Sequence, residues 1–294
     1  MTRGANRSTG LIGIAYIALG FFVFAGVDTQ AKLLTETLHP IQVVWARQSG
    51  LLFVVLLMLS MRGPAILRTD YPVLQIGRGI LAALSAGLFI TAISFVPIAD
   101  AIAVSFVAPF FVTVLAALIL RESVGVRRWT AIAIGFLATL IILRPGLGVV
   151  HPAAMLVVLA AFVFALRQVV SRYLSGSDRT MTTLAYTSLA GSALITLALP
   201  FVWVWPTTQT EIVLLVTIAV LAAFGEFLIV KALELTEAVV LAPLQYTLLI
   251  WGTMYGVFVF GEIPDIWTTL GALIIVATGL YTFHRERTLA KNRI

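Results

Sequence analysis

Ionisable side chains stand inside long apolar stretches of this sequence. Asp28 and Lys32 close an apolar run that begins at Leu11, and Arg47 lies near the start of the next run. A charge inside a bilayer costs about 2.5–3.5 kcal/mol on insertion scales, so each one needs a partner or a function. Asp28 can pair with Lys32 on the same helix face or with Arg47. Alternatively, Asp28 faces an aqueous cavity, where it contacts a substrate amine or carries a proton.

A second set of polar groups stands in the other half of the chain. Gln168 follows Arg167 directly, and Glu226 precedes Lys231 in a later apolar stretch. Two hypotheses fit Glu226. It forms a structural ion pair with Arg167 or Lys231, or it faces an aqueous cavity as Asp28 can. Arg78 lies close to the end of its stretch, so we expect its guanidinium to reach the membrane surface.

Two prolines interrupt other apolar stretches next to polar and aromatic residues. Pro109 stands in "SFVAPFF" and Pro243 in "LAPLQYTLLIW". Proline removes a backbone donor and frees a carbonyl, which membrane helices tolerate beside neighbouring helices or a cavity. We therefore predict a hinge at each proline. The predicted substrate-binding residues of the whole chain are Asp28, Ser105, Phe106, Phe110, Gln168, Glu226, Gln245, Tyr246 and Trp251.

Other chemistries find little support in the sequence. The chain has no cysteine, and its three histidines, at 39, 151 and 284, lie at predicted span ends without ligand spacing. Clustered acids with a metal, a nucleophile with its base, or a paired histidine would indicate an enzyme, and none is seen. We therefore predict no catalytic residue, no metal and no cofactor.

The elements that position these side chains are membrane helices. Hydrophobic residues make up 61% of the 294 positions and charged residues 11%, whereas soluble domains have about 25% charged residues. The apolar stretches continue for about twenty residues, the length of a membrane-spanning helix. The fold class predicted is all-α integral membrane. Ten spans are placed near 11–33, 41–61, 73–95, 99–120, 128–143, 153–174, 181–205, 211–235, 237–260 and 266–283.

The distribution of Lys and Arg predicts how these spans are oriented. With the N-terminus inside, Lys32 and Arg144 fall in outside loops, and most other basic residues fall on the cytoplasmic side. Basic residues are retained in the cytoplasm, so both termini are predicted to lie there, with 285–294 as a basic tail. The basic residues are scattered, which argues against a nucleic-acid partner. The predicted partners are a small-molecule substrate and the lipid bilayer.

The chain carries an internal repeat. "FVFA" at 22–25 recurs at 162–165, and the same offset relates Lys32 to Arg172 and Glu122 to Glu262. We predict two homologous five-helix halves, 9–145 and 146–284. Because five is odd, the second half enters the membrane from the opposite side, which makes an inverted repeat. Such repeats are typical of secondary transporters with a substrate site near the bilayer midplane, although channels and membrane enzymes can also be duplicated. With both halves in one chain, a monomer can suffice.

Small residues recur every four positions on two spans. Gly79, Ala83 and Gly87 follow this spacing on the third span, and Ala131 and Gly135 on the fifth. Such spacing lets neighbouring helices approach closely. We predict helix contacts at these positions.

With these features, the chain resembles the drug/metabolite transporter superfamily, in its EamA-like ten-helix branch. The resemblance rests on "DTQAKLL", on "PIQVVWAR", on "AISFVPIADAIAVSFVAPFFVTVLAALILRES" and on "GEIPDIWTTLGALIIVATGL". The second half departs from the first, since Pro243 lies farther before Glu262 than Pro109 lies before Glu122.

This resemblance implies a bacterial inner-membrane carrier, most often an exporter of amino acids or related metabolites. The aromatic residues near the centre fit the subgroup that exports aromatic and neutral amino acids. Import of S-adenosylmethionine or another cationic metabolite, and multidrug export, remain alternatives.

Overall fold

A computed structural model describes residues 2–121, 125–144, 151–174, 178–236 and 238–291 of the chain. The described residues form helices joined by short turns, with no β-strand among them. Glu122, used above in the repeat, lies outside the described residues. The helices are α1 (Thr2–Leu34), α2 (Pro40–Arg62), α3 (Pro72–Ile93), α4 (Ile98–Ser105), α5 (Ala108–Ile119), α6 (Val126–Leu143), α7 (Ala154–Tyr173), α8 (Thr180–Ala198), α9 (Gln209–Leu235), α10 (Ala238–Leu241), α11 (Thr247–Tyr255) and α12 (Ile266–Lys291).

Many of these helices have the length and composition of membrane spans. Seven segments of the described chain are long and apolar enough to cross a bilayer, and two shorter apolar helices cover Ile132–Leu143 and Ile266–Tyr281. The prediction of an all-helical, multi-pass membrane protein is therefore confirmed, while the count of ten spans stays a prediction. The seven segments are Leu11–Leu34, Pro40–Arg62, Pro72–Ile93, Ile98–Ile119, Ala154–Tyr173, Thr180–Phe201 and Gln209–Leu235.

Both prolines coincide with interruptions of helical structure. The α-helix breaks between α4 and α5, where Phe106 and Val107 donate their N–H groups three residues back, to Ala103 (3.3 Å) and Val104 (3.0 Å). Pro109 follows at the first turn of α5, where its missing N–H costs nothing. Pro243 lies in a 3₁₀ turn, Ala242–Tyr246, between α10 and α11. The predicted breaks are present, and movement about them stays a prediction.

The main helix contacts join the two halves of the chain. Helix α1 packs along α9, and α7 packs along α3. Helix α2 packs against α9, and α8 packs against α3. Helices α6 and α12, the last of each half, pack against each other. The largest buried cluster accordingly draws residues from both halves, such as Val27, Ile90, Ile218 and Leu228.

The stripe of small residues on α3 makes close contact along only part of its length. A Cβ at Gly79 would lie 2.8 Å from the Ala190 Cβ and 2.9 Å from the Tyr186 carbonyl oxygen of α8. Ala83 is buried, whereas a Cβ at Gly87 would meet no atom within 4 Å. A Cβ at Gly135 would also find open space. The predicted helix contact is therefore found at Gly79 and not at Gly87 or Gly135.

Ion pairs connect the loops at the end of the bundle where α1 finishes, which we call the Lys32 end. The ammonium of Lys32 pairs with Glu262 and also donates to the Val96 carbonyl (3.0 Å). Glu262 accepts a further bond from the Ile98 N–H (3.2 Å). One carboxylate thus connects α1 to the first turn of α4, whose residues 98–99 and 101–104 are buried.

A second ion pair at the same end joins Arg144 to Asp265. Burial opposes ionisation of Asp265, but hydrogen bonds from Thr268 and the guanidinium of Arg144 outweigh it, so the pKa of this carboxyl lies below its usual range. Its Oδ1 accepts from the Thr268 N–H at 2.7 Å, which caps the start of α12. The Lys32 end is therefore held by charged contacts among several helices.

Candidate functional site

A cavity of about 590 Å³ lies between helices of the two halves. Its walls come from α1, α2, α3, α7, the α4–α5 break and the turn before α11. Among the lining side chains, three are charged, four are phenylalanines and five are uncharged and polar. They are, in that order, Asp28, Arg47 and Arg167; Phe21, Phe89, Phe106 and Phe164; and Ser85, Ser105, Thr113, Gln168 and Gln245.

Asp28 is paired with Arg47 on the wall of this cavity. The Arg47 Nη1 donates to Asp28 Oδ1 at 3.0 Å, and only 6% of the Asp28 surface is exposed. The Arg47 guanidinium also lies 5.7 Å from the centre of the Phe24 ring. The pairing occurs with α2 and not within α1, because Lys32 is engaged by Glu262. Asp28 and Arg47 therefore present a neutral ion pair to the cavity.

Arg167 also reaches the cavity, and no carboxylate of the described residues lies within ion-pair distance of it. Its guanidinium lies 4.8 Å from the centre of the Phe164 ring, one turn earlier on α7. The Nε is buried and makes no hydrogen bond within the part of the chain that the structure describes. The aromatic face offsets part of the cost of the buried charge, yet it accepts no N–H bond from the edge of the guanidinium.

Arg78 is half-buried and bonds to neighbouring helices, and the prediction that its guanidinium reaches the membrane surface stays a prediction. Its Nε donates to the Ser171 hydroxyl at 2.6 Å, and its Nη1 donates to the Thr187 hydroxyl and, at 3.4 Å, to the Thr183 carbonyl. These acceptors lie on α7 and α8, the two helices between which α3 packs.

Glu226 lies away from the cavity. It lines a separate, nearly apolar groove of about 340 Å³ between α2, α8 and α9. Lys231 pairs instead with Glu234, one turn along α9, at 2.7 Å. The charge of Glu226 acts on both Arg78 and Arg167. Neither arginine comes within ion-pair distance of it among the described side chains.

The structure brings together five of the nine predicted binding residues. Pro109 lies on the cavity wall, whereas Pro243 does not. The five that share the cavity are Asp28, Ser105, Phe106, Gln168 and Gln245. The four that do not line it are Phe110, Glu226, Tyr246 and Trp251.

The three aromatic residues outside the lining pack against other rings. Phe110 stacks on Phe136 with ring centres 4.9 Å apart. Tyr246 stacks behind Phe106 at 5.1 Å, and Trp251 meets Phe22 edge to face at 5.2 Å. Tyr246 therefore supports a cavity residue from behind, and Phe110 and Trp251 serve contacts between helices.

Several lining residues were not among the predicted binding residues. Arg47 and Arg167 are charged residues inside predicted spans, and the cost of such a charge was reason enough to count them among the binding residues. Ser85 has no such signal, since a serine in an apolar span is common. Phe164 stands in the repeated "FVFA" motif, but the motif does not say which of its side chains faces inward.

The arrangement suits binding of a small molecule more than catalysis. Charged and amide groups share one chamber with aromatic faces, as in sites that hold a polar ligand with an apolar part. Among the described residues, no group of three or more His, Cys, Asp or Glu side chains is placed to hold a metal ion.

Comparison with known proteins agrees with this reading. The profile of the EamA-like transporter family matches residues 11–144 and, a second time, residues 151–283. The chain is 27% identical over 280 residues to the S-adenosylmethionine uptake transporter of Rickettsia prowazekii, covering 95% of each protein. It is 35% identical over 201 residues to the riboflavin transporter of Vibrio cholerae, covering 68% of this chain and 67% of that protein.

Two further similarities extend over most of the length. The pseudopaline exporter of Pseudomonas aeruginosa is 28% identical over 268 residues, with 90% of this chain and 93% of the exporter covered. A solved crystal structure superposes with a TM-score of 0.61 at 19% identity, covering 96% of this chain and 99% of that one. With its family profile matched over both halves, the chain belongs to the EamA-like transporter family.

Proposed function

We propose that this protein is a secondary transporter that moves amino acids or related small metabolites across the bacterial inner membrane by alternating access. The observation that carries the proposal is the cavity of about 590 Å³ between the two halves. It combines the Asp28–Arg47 pair, Arg167, two amide side chains and four phenylalanines. A substrate with a charged head and an apolar side chain matches this mixture.

The proposed architecture is an inverted repeat, and three observations support two related halves. The family profile matches each half separately. The helix contacts are also symmetric when α1, α2 and α3 are matched with α7, α8 and α9. The α1–α9 contact then corresponds to the α7–α3 contact, and α2–α9 corresponds to α8–α3. Phe106 and Tyr246, related by the offset of the "FVFA" repeat, stack on one another as residues beside a two-fold axis would. We therefore retain ten spans and the repeats 9–145 and 146–284.

The proposed orientation places both termini in the cytoplasm. The Lys32 end then faces the periplasm, where Lys32, Glu262, Arg144 and Asp265 hold the helices together. Substrate would reach the cavity from the cytoplasmic side in this conformation. Such a state is the one from which an exporter loads its substrate.

Export of amino acids is our first proposal, and uptake of S-adenosylmethionine is the second. The specific observation behind the second is that relatives named as uptake transporters for this compound match nearly the full length. S-adenosylmethionine carries an amino-acid head, so both substrates would use the same groups of the cavity.

Counterflow in proteoliposomes tests the proposal. Vesicles containing purified protein are loaded with unlabelled phenylalanine, methionine or threonine, and uptake of the labelled compound is followed against empty vesicles. We expect saturable accumulation for at least one amino acid. A folded protein that shows none with these amino acids, but does with S-adenosylmethionine, would favour the second candidate. A pH gradient of either sign then tests proton coupling and the direction of net flux.

Gln245→Ala locates the site within that assay. Gln245 lines the cavity, whereas Gln30 on α1 does not and instead accepts a bond from Thr217 at 3.2 Å. Gln245→Ala should weaken apparent affinity while Gln30→Ala leaves it unchanged. Equal affinities in the two variants would remove Gln245 from the site.

A further inference from the structure

Arg167 carries a positive charge that the described protein does not neutralise at close range. Its Nε is buried and makes no hydrogen bond within the described residues, and the guanidinium carbon lies 4.8 Å from the centre of the Phe164 ring. A buried guanidinium is costly unless it is paired. A buried guanidinium on the wall of a cavity can therefore lower this cost by binding an anionic group of a ligand.

The charges around the cavity do not balance. Asp28 and Arg47 neutralise each other at 3.0 Å, which leaves Arg167 as a cation on the wall with no ion-pair partner among the described residues. Glu226, which lies outside the cavity lining, supplies one negative charge in the neighbourhood of Arg78 and Arg167. Arg78 bonds to neutral hydroxyl and carbonyl acceptors. The net charge of these five side chains is positive, which favours a ligand with a negatively charged group.

We infer that Arg167 binds the carboxylate of the transported molecule, and that a free carboxylate is the feature by which the carrier selects its substrates. The guanidinium offers paired N–H donors in a plane that matches a carboxylate. The inference rests on the proposed transport function and deepens it. It restricts the substrate class to molecules that carry a carboxylate.

Other residues of the cavity can contact the remaining parts of the ligand. Gln168 follows Arg167 on α7, and Gln245, in the turn before α11, lines the same cavity. These amides can accept hydrogen bonds from an ammonium group. Phe89 and Phe106 line the same chamber and offer faces for an apolar side chain.

The electrostatic half of the inference can be tested without knowing the substrate. The natural chain has no cysteine, so Ala82→Cys supplies a single thiol on the cavity wall. This thiol is treated with two methanethiosulfonates, the anionic sulfonatoethyl and the cationic trimethylammonioethyl compound. Each reaction rate is divided by the rate at which the same reagent reacts with free cysteine. We expect the anionic reagent to be favoured, and Arg167→Gln to lower that preference by about tenfold.

An unchanged preference in Arg167→Gln would overturn the inference, whatever the protein transports. Arg167→Lys keeps the charge and should retain most of the preference. If Arg167→Gln does not fold, the protein with Arg167 intact still decides the matter, because absence of any anionic preference there contradicts the proposal.

The recognition half uses transport. In the counterflow assay, phenylalanine and phenylalanine amide compete with the labelled amino acid. The unsubstituted carrier should bind phenylalanine at least about tenfold more tightly than the amide, because only the carboxylate forms a charged pair of hydrogen bonds with Arg167. Arg167→Gln should lose this discrimination. Retained discrimination in the variant would overturn the assignment, whereas absence of counterflow in the unsubstituted protein would instead contradict the proposed function.

A structural role for Arg167 as a distant partner of Glu226 makes a different prediction. In that case Arg167→Gln and Glu226→Gln would lower the melting temperature alike, and the double variant would cost no more than either alone. A binding role predicts that Glu226→Gln keeps the discrimination between phenylalanine and its amide. Loss of discrimination in Glu226→Gln, with full coupling of the two melting temperatures, would overturn the inference.

Discussion

The Asp28–Arg47 pair joins two helices on the wall of the cavity. Both side chains line the cavity, and both come from helices that pack against α9 of the other half. A charge pair in such a place stabilises little in itself, but removing one partner leaves the other uncompensated. The pair also keeps the cavity from carrying a second excess positive charge beside Arg167.

Asp28→Asn tests this dual role. Removing the carboxylate leaves the Arg47 guanidinium without its partner, and we expect a loss of roughly 3 kcal/mol or more in stability. The melting temperature in detergent should fall, whereas the double variant Asp28→Asn/Arg47→Gln should recover most of it. A double variant as unstable as the single one would contradict this account.

The two phenylalanines of "SFVAPFF" should respond differently to truncation. Phe106 lines the cavity in front of Tyr246, whereas Phe110 stacks on Phe136 between α5 and α6. We expect Phe106→Ala to raise the KM for transport, and Phe110→Ala to lower the melting temperature by opening a packing defect while leaving KM unchanged. Measuring KM and melting temperature for both variants checks the assignment, and the reverse pattern would exchange the two roles.

Sequence reasoning at this scale identified which residues are exceptional but not what they contact. Asp28, Arg47 and Arg167 stand out because a charge in an apolar stretch is costly. Their partners depend on which faces of the helices meet, and that is decided by packing between distant segments. Tyr246 illustrates the limit, because its phenol suggested a cavity residue while its ring packs behind Phe106.

At the scale of elements, helix α2 approaches α9 through a glycine. A Cβ at Gly50 would lie 1.9 Å from the carbonyl oxygen of Ala219, a backbone atom that cannot rotate away. On α3, a Cβ at Gly87 would meet nothing within 4 Å. The two glycines therefore offer the same substitution in a tight and in an open environment.

Gly50→Ala should destabilise the protein and Gly87→Ala should not. Forcing α2 away from α9 costs about 1–3 kcal/mol as overpacking, while alanine in place of an unconstrained helical glycine gains up to about 1 kcal/mol. Melting temperatures of the two variants, purified in the same detergent, provide the comparison. If Gly50→Ala melts at or above the temperature of Gly87→Ala, the close approach of α2 and α9 is wrong.

The position of most helices was predictable because each apolar stretch ends at turn residues. The breaks near Pro109 and Pro243 were predictable for the same reason, since proline cannot continue the hydrogen-bond ladder. The partners of each helix were not predictable. Small residues spaced by four positions allow a neighbouring helix to approach closely, as α8 does at Gly79. Gly87 belongs to the same pattern, yet it faces open space.

At the scale of the whole molecule, the halves pack along each other and are linked by ion pairs at the Lys32 end. Glu262 stands where the repeat offset places a counterpart of Glu122, and it connects Lys32 of α1 with the Ile98 N–H of α4. The Lys32 ammonium lies 4.9 Å from the centre of the Phe260 ring as well. Alternating access requires such contacts to break when the cavity opens at this end.

Glu262→Gln should therefore favour opening at the Lys32 end. The amide oxygen can accept a hydrogen bond from the Lys32 ammonium but carries no negative charge, and the loss of the charged interaction, about 1.5 kcal/mol, shifts the conformational equilibrium by roughly tenfold. A single cysteine at Phe89, on the cavity wall, reports the change when cells are treated with a membrane-impermeant methanethiosulfonate. Its labelling from outside should rise about tenfold in the variant.

Glu36→Gln provides the matched control, because Glu36 lies exposed at the same end of the bundle. It makes the same change of carboxylate to amide without touching the Lys32–Glu262 contact, so labelling at position 89 should stay at the level of the parent protein. Equal protection in both variants would mean that packing around α4, and not the ion pair, holds this end closed. Fast labelling in the parent protein itself would instead contradict the proposed orientation, because the cavity would then open to the outside.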